Sequence, residues 1–316
     1  SSAQDGITAV GFKSLESLTS GAGNTAVGFE TGKDTTTGEN NTLLGYQAGQ
    51  NILGGSNNIA IGTASGETMT GVSSTVLVGK QSGQSINNAD ALGTVAIGHQ
   101  ALKSNTSGQK NTAIGYLTLS TNNDIGDSNT AVGYEALKNF NPSSDGHGLN
   151  TAVGASAGED VSTGTGNTLI GDKAGNTGSN DITTGTLNTV VGQLSGISTS
   201  GGTNQTVIGR GVTGQGDDTV TLGNSSVTKL YVGAGGTDQS IVFKDSAEQG
   251  KIRYDHNNEQ FQIFVGGSEK IKFESGGDIR LLGGGINFPD DASSSASSDA
   301  NTLDDYEEGE YTVTMT

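Results

Sequence analysis

Asn129-Thr130-Ala131-Val132-Gly133-Tyr134-Glu135-Ala136-Leu137 is the stretch on which the fold turns, because near copies of it run along about two-thirds of the chain. Its glycine recurs as Gly11, Gly28, Gly45, Gly62, Gly79, Gly98, Gly115, Gly133, Gly154, Gly171, Gly192, Gly209 and Gly223. The first four intervals are 17 residues each, and the later ones are 19, 17, 18, 21, 17, 21, 17 and 14. A fixed unit with occasional loop insertions produces this spacing, which marks an array of stacked supersecondary units.

Within the unit an aliphatic residue precedes every glycine, as at Val10, Val27, Leu44, Ile114, Val132 and Leu222. A β-branched residue stands three places before it, as at Thr8, Thr25, Ile59, Val95, Thr130 and Val220. Side chains alternate along a strand, so these two positions share one face. The position between them points the other way and is usually Ala: Ala9, Ala26, Ala60, Ala96, Ala113, Ala131 and Ala152. The pattern predicts coils locked together by rows of Val/Ile and Thr. The alanine face is expected to be covered by the same face of identical chains around a threefold axis. Small residues three places after the glycine, such as Ser14, Ala48, Ser65, Ala101, Ala136, Ala157 and Ala174, predict a second short strand, with the glycine as the corner between the two. Asn stands before the first strand at Asn24, Asn41, Asn58, Asn111, Asn129, Asn150, Asn167 and Asn188, and is expected to satisfy backbone groups of adjacent coils.

The expected fold is therefore all-β: a parallel β-solenoid (β-roll) of about 13 short coils, intertwined or packed as a trimer and followed by a β-hairpin meander. Coils stacked roughly 4.8 Å apart give a rod of about 60 Å. The composition fits a thin rod better than a thick interior, with 31% apolar residues, 5% aromatic residues and 53 glycines. A net charge of -18 argues against a nucleic-acid partner. There is no Cys, hence no disulfide or thiol chemistry. No apolar run approaches the ~20 residues that cross a bilayer, so no membrane insertion is expected, and no signal peptide is visible. The first residue is Ser1 rather than Met, which suggests a segment or processed product of a longer protein.

Three regions are predicted: a repeat shaft at 1–226, a β-rich connector at 227–285, and an acidic Ser/Asp-rich junction at 286–316. The connector contains Lys229-Leu230-Tyr231-Val232-Gly233, Ile241-Val242-Phe243, Lys251 to His256, Gln260 to Val265 and Lys270 to Phe273. Turn clusters at Asn257-Asn258 and Gly266-Gly267 separate hairpin strands.

The unit at Asn129 to Leu137, nearly repeated at Asn111 to Leu119, resembles the repeat found in many phage tail-fibre proteins. It is also similar to the head repeat of bacterial trimeric autotransporter adhesins, which forms a left-handed parallel β-roll trimer. The 14-residue interval from Gly209 to Gly223 is close to the adhesin spacing. The connector, and the junction from Phe288-Pro289-Asp290 through Asn301 to Gly309, resemble segments of phage structural proteins. No heptads of a coiled-coil stalk follow the repeats. The resemblance implies the shaft of a virion tail fibre: a homotrimer joined to other tail proteins, outside the cell, positioning a tip for a host-surface glycan or outer-membrane component. The alternative it leaves open is the passenger of a bacterial surface adhesin.

No enzymatic activity and no cofactor are expected. His99, His147 and His256 lie far apart, and His99 occupies a variable solvated place after a repeat glycine. Asp255-His256 lacks a nucleophile. Gly28 to Lys33 is one residue short of a phosphate loop and is followed by Asp34. Glycan hydrolysis by paired carboxylates is disfavoured by the absence of Trp, and an ice-binding face by the single Thr ladder. Asn105, Asn204 and Asn224 match glycosylation acceptors at the rate that chance allows in such a sequence. Asp290-Asp291, Asp304-Asp305 and Glu307-Glu308 lack the ligand spacing of a calcium loop. The insertions Asn139 to Leu149 and Asn176 to Leu187 are the best candidates for local surface contacts.

Overall fold

The computed structural model describes residues 5–89, 91–121, 126–142, 148–229, 238–244, 248–255, 257–277 and 279–282. His147, His256, the strand expected around Leu230 to Gly233 and the acidic junction at 286–316 lie outside the described residues. The chain divides into two compact units, Ser1–Val227 and Thr228–Thr316. Among the described residues there is no helix.

The first unit is a β-solenoid. Its strands are β1 (Thr8–Val10), β2 (Thr25–Val27), β3 (Thr42–Leu44), β4 (Ile59–Ile61), β5 (Val76–Val78), β6 (Val95–Ile97), β7 (Thr112–Ile114), β8 (Thr130–Val132), β9 (Thr151–Val153), β10 (Thr168–Ile170), β11 (Thr189–Val191), β12 (Thr206–Ile208) and β13 (Val220–Leu222). They form one 13-stranded parallel sheet in sequence order. Equivalent positions pair, as in Thr25↔Thr42, Ala26↔Leu43 and Val27↔Leu44. A two-residue alternation fixes which side chains share a face; the closed coil decides which face is inward.

The inward face is the central one. The middle residue of every strand from β2 to β12 is buried, while its two neighbours remain half-buried or exposed. The alanine row thus needs no second chain: the rest of its own coil covers it. Leu43, Ile52, Met69, Leu77, Ile86, Leu137 and Phe140 complete this interior. The Thr and Val/Ile rows expected to form the locking layer instead point outward. Among the described residues the expected second strand is not formed: the residues after the glycines form turns, apart from an isolated bridge between Gly196 and Thr213.

Small residues line the core in two ways: at Ala26, Ala60 and Ala152 the corner six places on is Gly32, Gly66 and Gly158, and side chains such as Leu43, Leu77 and Leu169 fill the space beside them, whereas elsewhere volume is matched within the coil. Where the strand centre is Leu43, the residue six places on is Gly49, and a Cβ on Gly49 would lie 2.7 Å from a Leu43 methyl carbon. Where the centre is Ala131, the same corner carries Leu137 and the large side chain enters from the turn. That corner is left-handed in both cases, with φ of 57° at Gly49 and 48° at Leu137. A non-glycine residue there pays roughly 1–2 kcal/mol in backbone strain, and burial of a whole leucine side chain returns about 1.5–3 kcal/mol.

An asparagine ladder ties coil to coil. Asn41 donates its backbone N–H to Asn24 Oδ1 at 2.9 Å and its Nδ2 to the Gly55 carbonyl at 2.9 Å. The pattern repeats from Asn111 through Asn129, Asn150, Asn167 and Asn188 to Gln205. Thr75 and Thr94 interrupt it, and Asn105, seven residues after Gly98, donates to the Gly108 carbonyl at 2.9 Å where an asparagine at position 94 would otherwise reach.

The second unit is a five-stranded antiparallel sheet of β14 (Asp238–Lys244), β15 (Glu248–Asp255), β16 (Gln260–Val265), β17 (Ser268–Phe273) and β18 (Ile279–Leu281). The Asn257-Asn258 and Gly266-Gly267 turns fall between successive strands, as their residue types predict. Asp255 closes the first turn by accepting the N–H of Asn257 at 3.0 Å and Nδ2 of Asn258 at 2.9 Å.

Candidate functional site: an uncharged outward face on the solenoid

Two outward residues per strand generate two parallel rows, one β-branched and one aliphatic. No residue of β1–β13 is charged, although the chain as a whole carries -18. Val10 is 57% exposed, Leu44 46%, Ile170 40% and Leu222 52%. Twelve strand spacings of 4.8 Å by a width near 10 Å give about 600 Å² of uncharged surface, one row of it aliphatic and the other mostly threonine.

Aromatic side chains border this face at the position following the repeat glycine. Phe12, Phe29 and Tyr46 form one stack, with centroids 5.2 and 5.3 Å apart. His99, Tyr116 and Tyr134 form another, at 5.1 and 5.3 Å. Parallel stacking follows from the coil repeat, which places equivalent side chains one strand spacing apart. His99 is accordingly a half-buried member of a stack rather than a freely solvated residue. The sequence held the signal for this row, since aromatic residues recur at the glycine-plus-one position in two runs of neighbouring coils.

Charge is confined to the turns. Lys138 bridges Glu135 at 3.1 Å and Glu159, one coil on, at 3.5 Å. Its hydrogen bond to Glu135 holds the ammonium above its ordinary pKa. The charge of the same carboxylate raises the Tyr134 phenol.

The repeat glycines form the seam beside the outward face. At Gly133 φ is 139°, and a Cβ would lie 2.3 Å from the Gly154 carbonyl oxygen of the next coil. Gly28, the start of the phosphate-loop-like stretch, belongs to the same seam. Among the described residues no cluster of three His, Cys, Asp or Glu side chains could hold a metal ion, and no helix is long and apolar enough to cross a membrane. The two insertions each contribute a core side chain, Phe140 and Ile182, and each ends in an exposed leucine, Leu149 at 65% and Leu187 at 62%.

No family model, no curated protein and no solved structure matches the chain.

Proposed function

We propose that the chain is the shaft of a phage tail fibre, a homotrimer whose copies lie side by side through the uncharged outward face of the solenoid. The observation that supports this reading is a long uncharged face whose aliphatic and threonine-rich rows repeat at one strand spacing. A partner must present the same spacing to stay in register along the whole face, and another copy of the chain does so by construction. Three is the number that the resemblance to phage and adhesin repeats carries. The role is mechanical: coils joined by backbone hydrogen bonds at every step transmit position, and catalysis has no part in it. The fibre would join other tail proteins and hold a tip against a glycan or outer-membrane component of the host surface. Leu149 and Leu187, at the ends of the two insertions, are the solenoid's own candidates for such contacts.

Sedimentation equilibrium of the chain tests the assembly. A mass of three chains is expected, and a double variant Ile114→Lys/Ile170→Lys, which places two charges on the face, is expected to sediment as one chain with unchanged β-sheet circular dichroism. A single-chain mass for the unaltered protein would refute the assembly. Mass spectrometry of purified virions tests the location, and absence of these peptides from every virion preparation of the source phage would refute it.

A further inference from the structure

The residue that follows each repeat glycine stands one strand spacing from its counterpart in the preceding coil. Backbone rungs fix this in the second half of the solenoid. The Ser156 N–H donates to the Tyr134 carbonyl at 2.7 Å, Lys173 to Ala155 at 2.8 Å, Leu194 to Asp172 at 3.0 Å and Gly211 to Gln193 at 2.8 Å. Along the rod the row therefore runs Tyr116, Tyr134, Ala155, Asp172, Gln193 and Arg210. Its two tyrosine rings stack at 5.3 Å with their planes 6° apart. At Ala155 the row drops to a methyl group, and the side chain after it is a carboxylate.

That step leaves a notch the height of one ring. Tyr134 is 53% exposed and Ala155 is exposed, so the ring face opposite Tyr116 looks onto the space beside the alanine methyl. From Tyr134 to Asp172 is two strand spacings, about 9.6 Å. A ring placed between them makes a contact on each side at about 3.5–4.0 Å, and the remainder accommodates the pucker of a chair. The far wall is already organised. Gln193 donates to Asp172 Oδ2 at 3.0 Å and Arg210 donates to Gln193 Oε1 at 3.0 Å, which leaves Asp172 Oδ1 to accept from a ligand.

We propose that this notch binds one pyranose ring of a glycan, with its C–H face on Tyr134 and a hydroxyl donating to Asp172. A sugar matches both walls, because it has an apolar C–H face and a rim of hydroxyl donors. A flat aromatic side chain matches only one, since its second face carries the negative side of the ring quadrupole and meets the carboxylate. A guanidinium fits by shape, but the carboxylates around the notch are already balanced: Glu135 and Glu159 share Lys138, and Asp172 is joined through Gln193 to Arg210. The other stack, Phe12, Phe29 and Tyr46, ends on Thr63 and then Lys80 in place of an alanine and a carboxylate, so Tyr46 is a built-in control. Every residue of the notch belongs to one chain, so the site does not depend on the trimer. It places a glycan contact on the shaft itself, apart from the tip proposed above.

One small ring with one charged acceptor binds with a dissociation constant on the order of 1 mM, so the titration runs to about 20 mM. Saturation-transfer difference NMR on the full chain uses the methyl glycosides of glucose, galactose and N-acetylglucosamine, with Nα-acetylarginine methylamide as the cationic probe. Binding of at least one glycoside is expected. Ala155→Phe continues the stack and fills the notch, and should weaken that binding about tenfold or more with unchanged β-sheet circular dichroism. Tyr134→Ala and Asp172→Ala should weaken it likewise, and Tyr46→Ala should leave it as it is. No glycoside binding, or binding that survives Ala155→Phe, overturns the site. Binding of the arginine probe in place of the glycosides overturns the ligand class. Sedimentation of the same samples reads the assembly separately: a three-chain mass without glycoside binding removes the notch alone, and a single-chain mass with binding removes the assembly and upholds the notch.

Discussion

Asn150 is the position at which the reasoning about the solenoid can be tested most sharply. Its side chain is fully buried and donates to the Gly164 carbonyl at 2.9 Å. Its Oδ1 accepts the backbone N–H of Asn167 at 3.0 Å and Nδ2 of Asn167 at 3.2 Å. Asn150→Ala leaves the Gly164 carbonyl and the Asn167 N–H without these partners. Each buried group so orphaned costs about 1–3 kcal/mol, a loss of about 2–6 kcal/mol. That is a large share of the 5–15 kcal/mol typical of a folded domain. Asn150→Asp keeps the shape but sets a carboxylate oxygen against the Gly164 carbonyl and removes the donor. Burial then favours the protonated acid, so the folded-state pKa of that Asp lies above the unfolded one. The native state binds the extra proton, and stability falls as pH rises from about 4 towards the raised folded-state pKa. Urea denaturation followed by circular dichroism is the assay, with Thr70→Ala, an exposed site, expected within about 0.5 kcal/mol of the unaltered protein. Equal urea midpoints for Asn150→Ala and Thr70→Ala, or an Asn150→Asp chain as stable at pH 7 as at pH 4, would refute the ladder as a source of stability.

Ala131→Leu should lose about 1–3 kcal/mol through overpacking and Leu137→Gly about 2–5 kcal/mol through the cavity, whereas the double variant recreates the Leu43/Gly49 arrangement and should fall within about 1.5 kcal/mol of the unaltered protein; strictly additive losses in the double-mutant cycle would contradict volume matching. The Asp217 carboxylate is held below its ordinary pKa first by the Thr203 N–H and then by Gln205. Its contribution is present above the unfolded-state pKa and is lost as pH falls through the lower folded-state value, so the protection factor of the Thr203 amide, its exchange rate relative to that of an unfolded peptide at the same pH, should fall below about pH 4. In Asp217→Asn that fall should vanish, and its persistence would point to another group.

Much of the fold was legible in the chain itself. Register, coil number and the asparagine ladder follow from a recurrent spacing, because a repeated unit must place equivalent residues at equivalent heights. The hairpins at Asn257-Asn258 and Gly266-Gly267 follow from turn chemistry, which is local. The aromatic stacks were legible too, once the glycine-plus-one position is read down the coils instead of along the chain.

What lay beyond a linear reading was the sense of each face. Alternation separates Ala131 from Thr130 and Val132 but is silent on which side the chain closes over. The choice depends on whether the remaining residues of the coil can fill the space opposite, and that is a sum over side chains distant in sequence, such as Leu43 with Gly49 or Ala131 with Leu137. A row of alanines is compatible with a neighbouring chain or with a thin interior; only the closed coil, with large side chains entering from its own corners or from adjacent coils, makes it the interior. The same closure turns the larger Val and Ile side chains towards solvent, which is how the tertiary structure, rather than the residue pattern, selected the surface on which the proposed assembly stands.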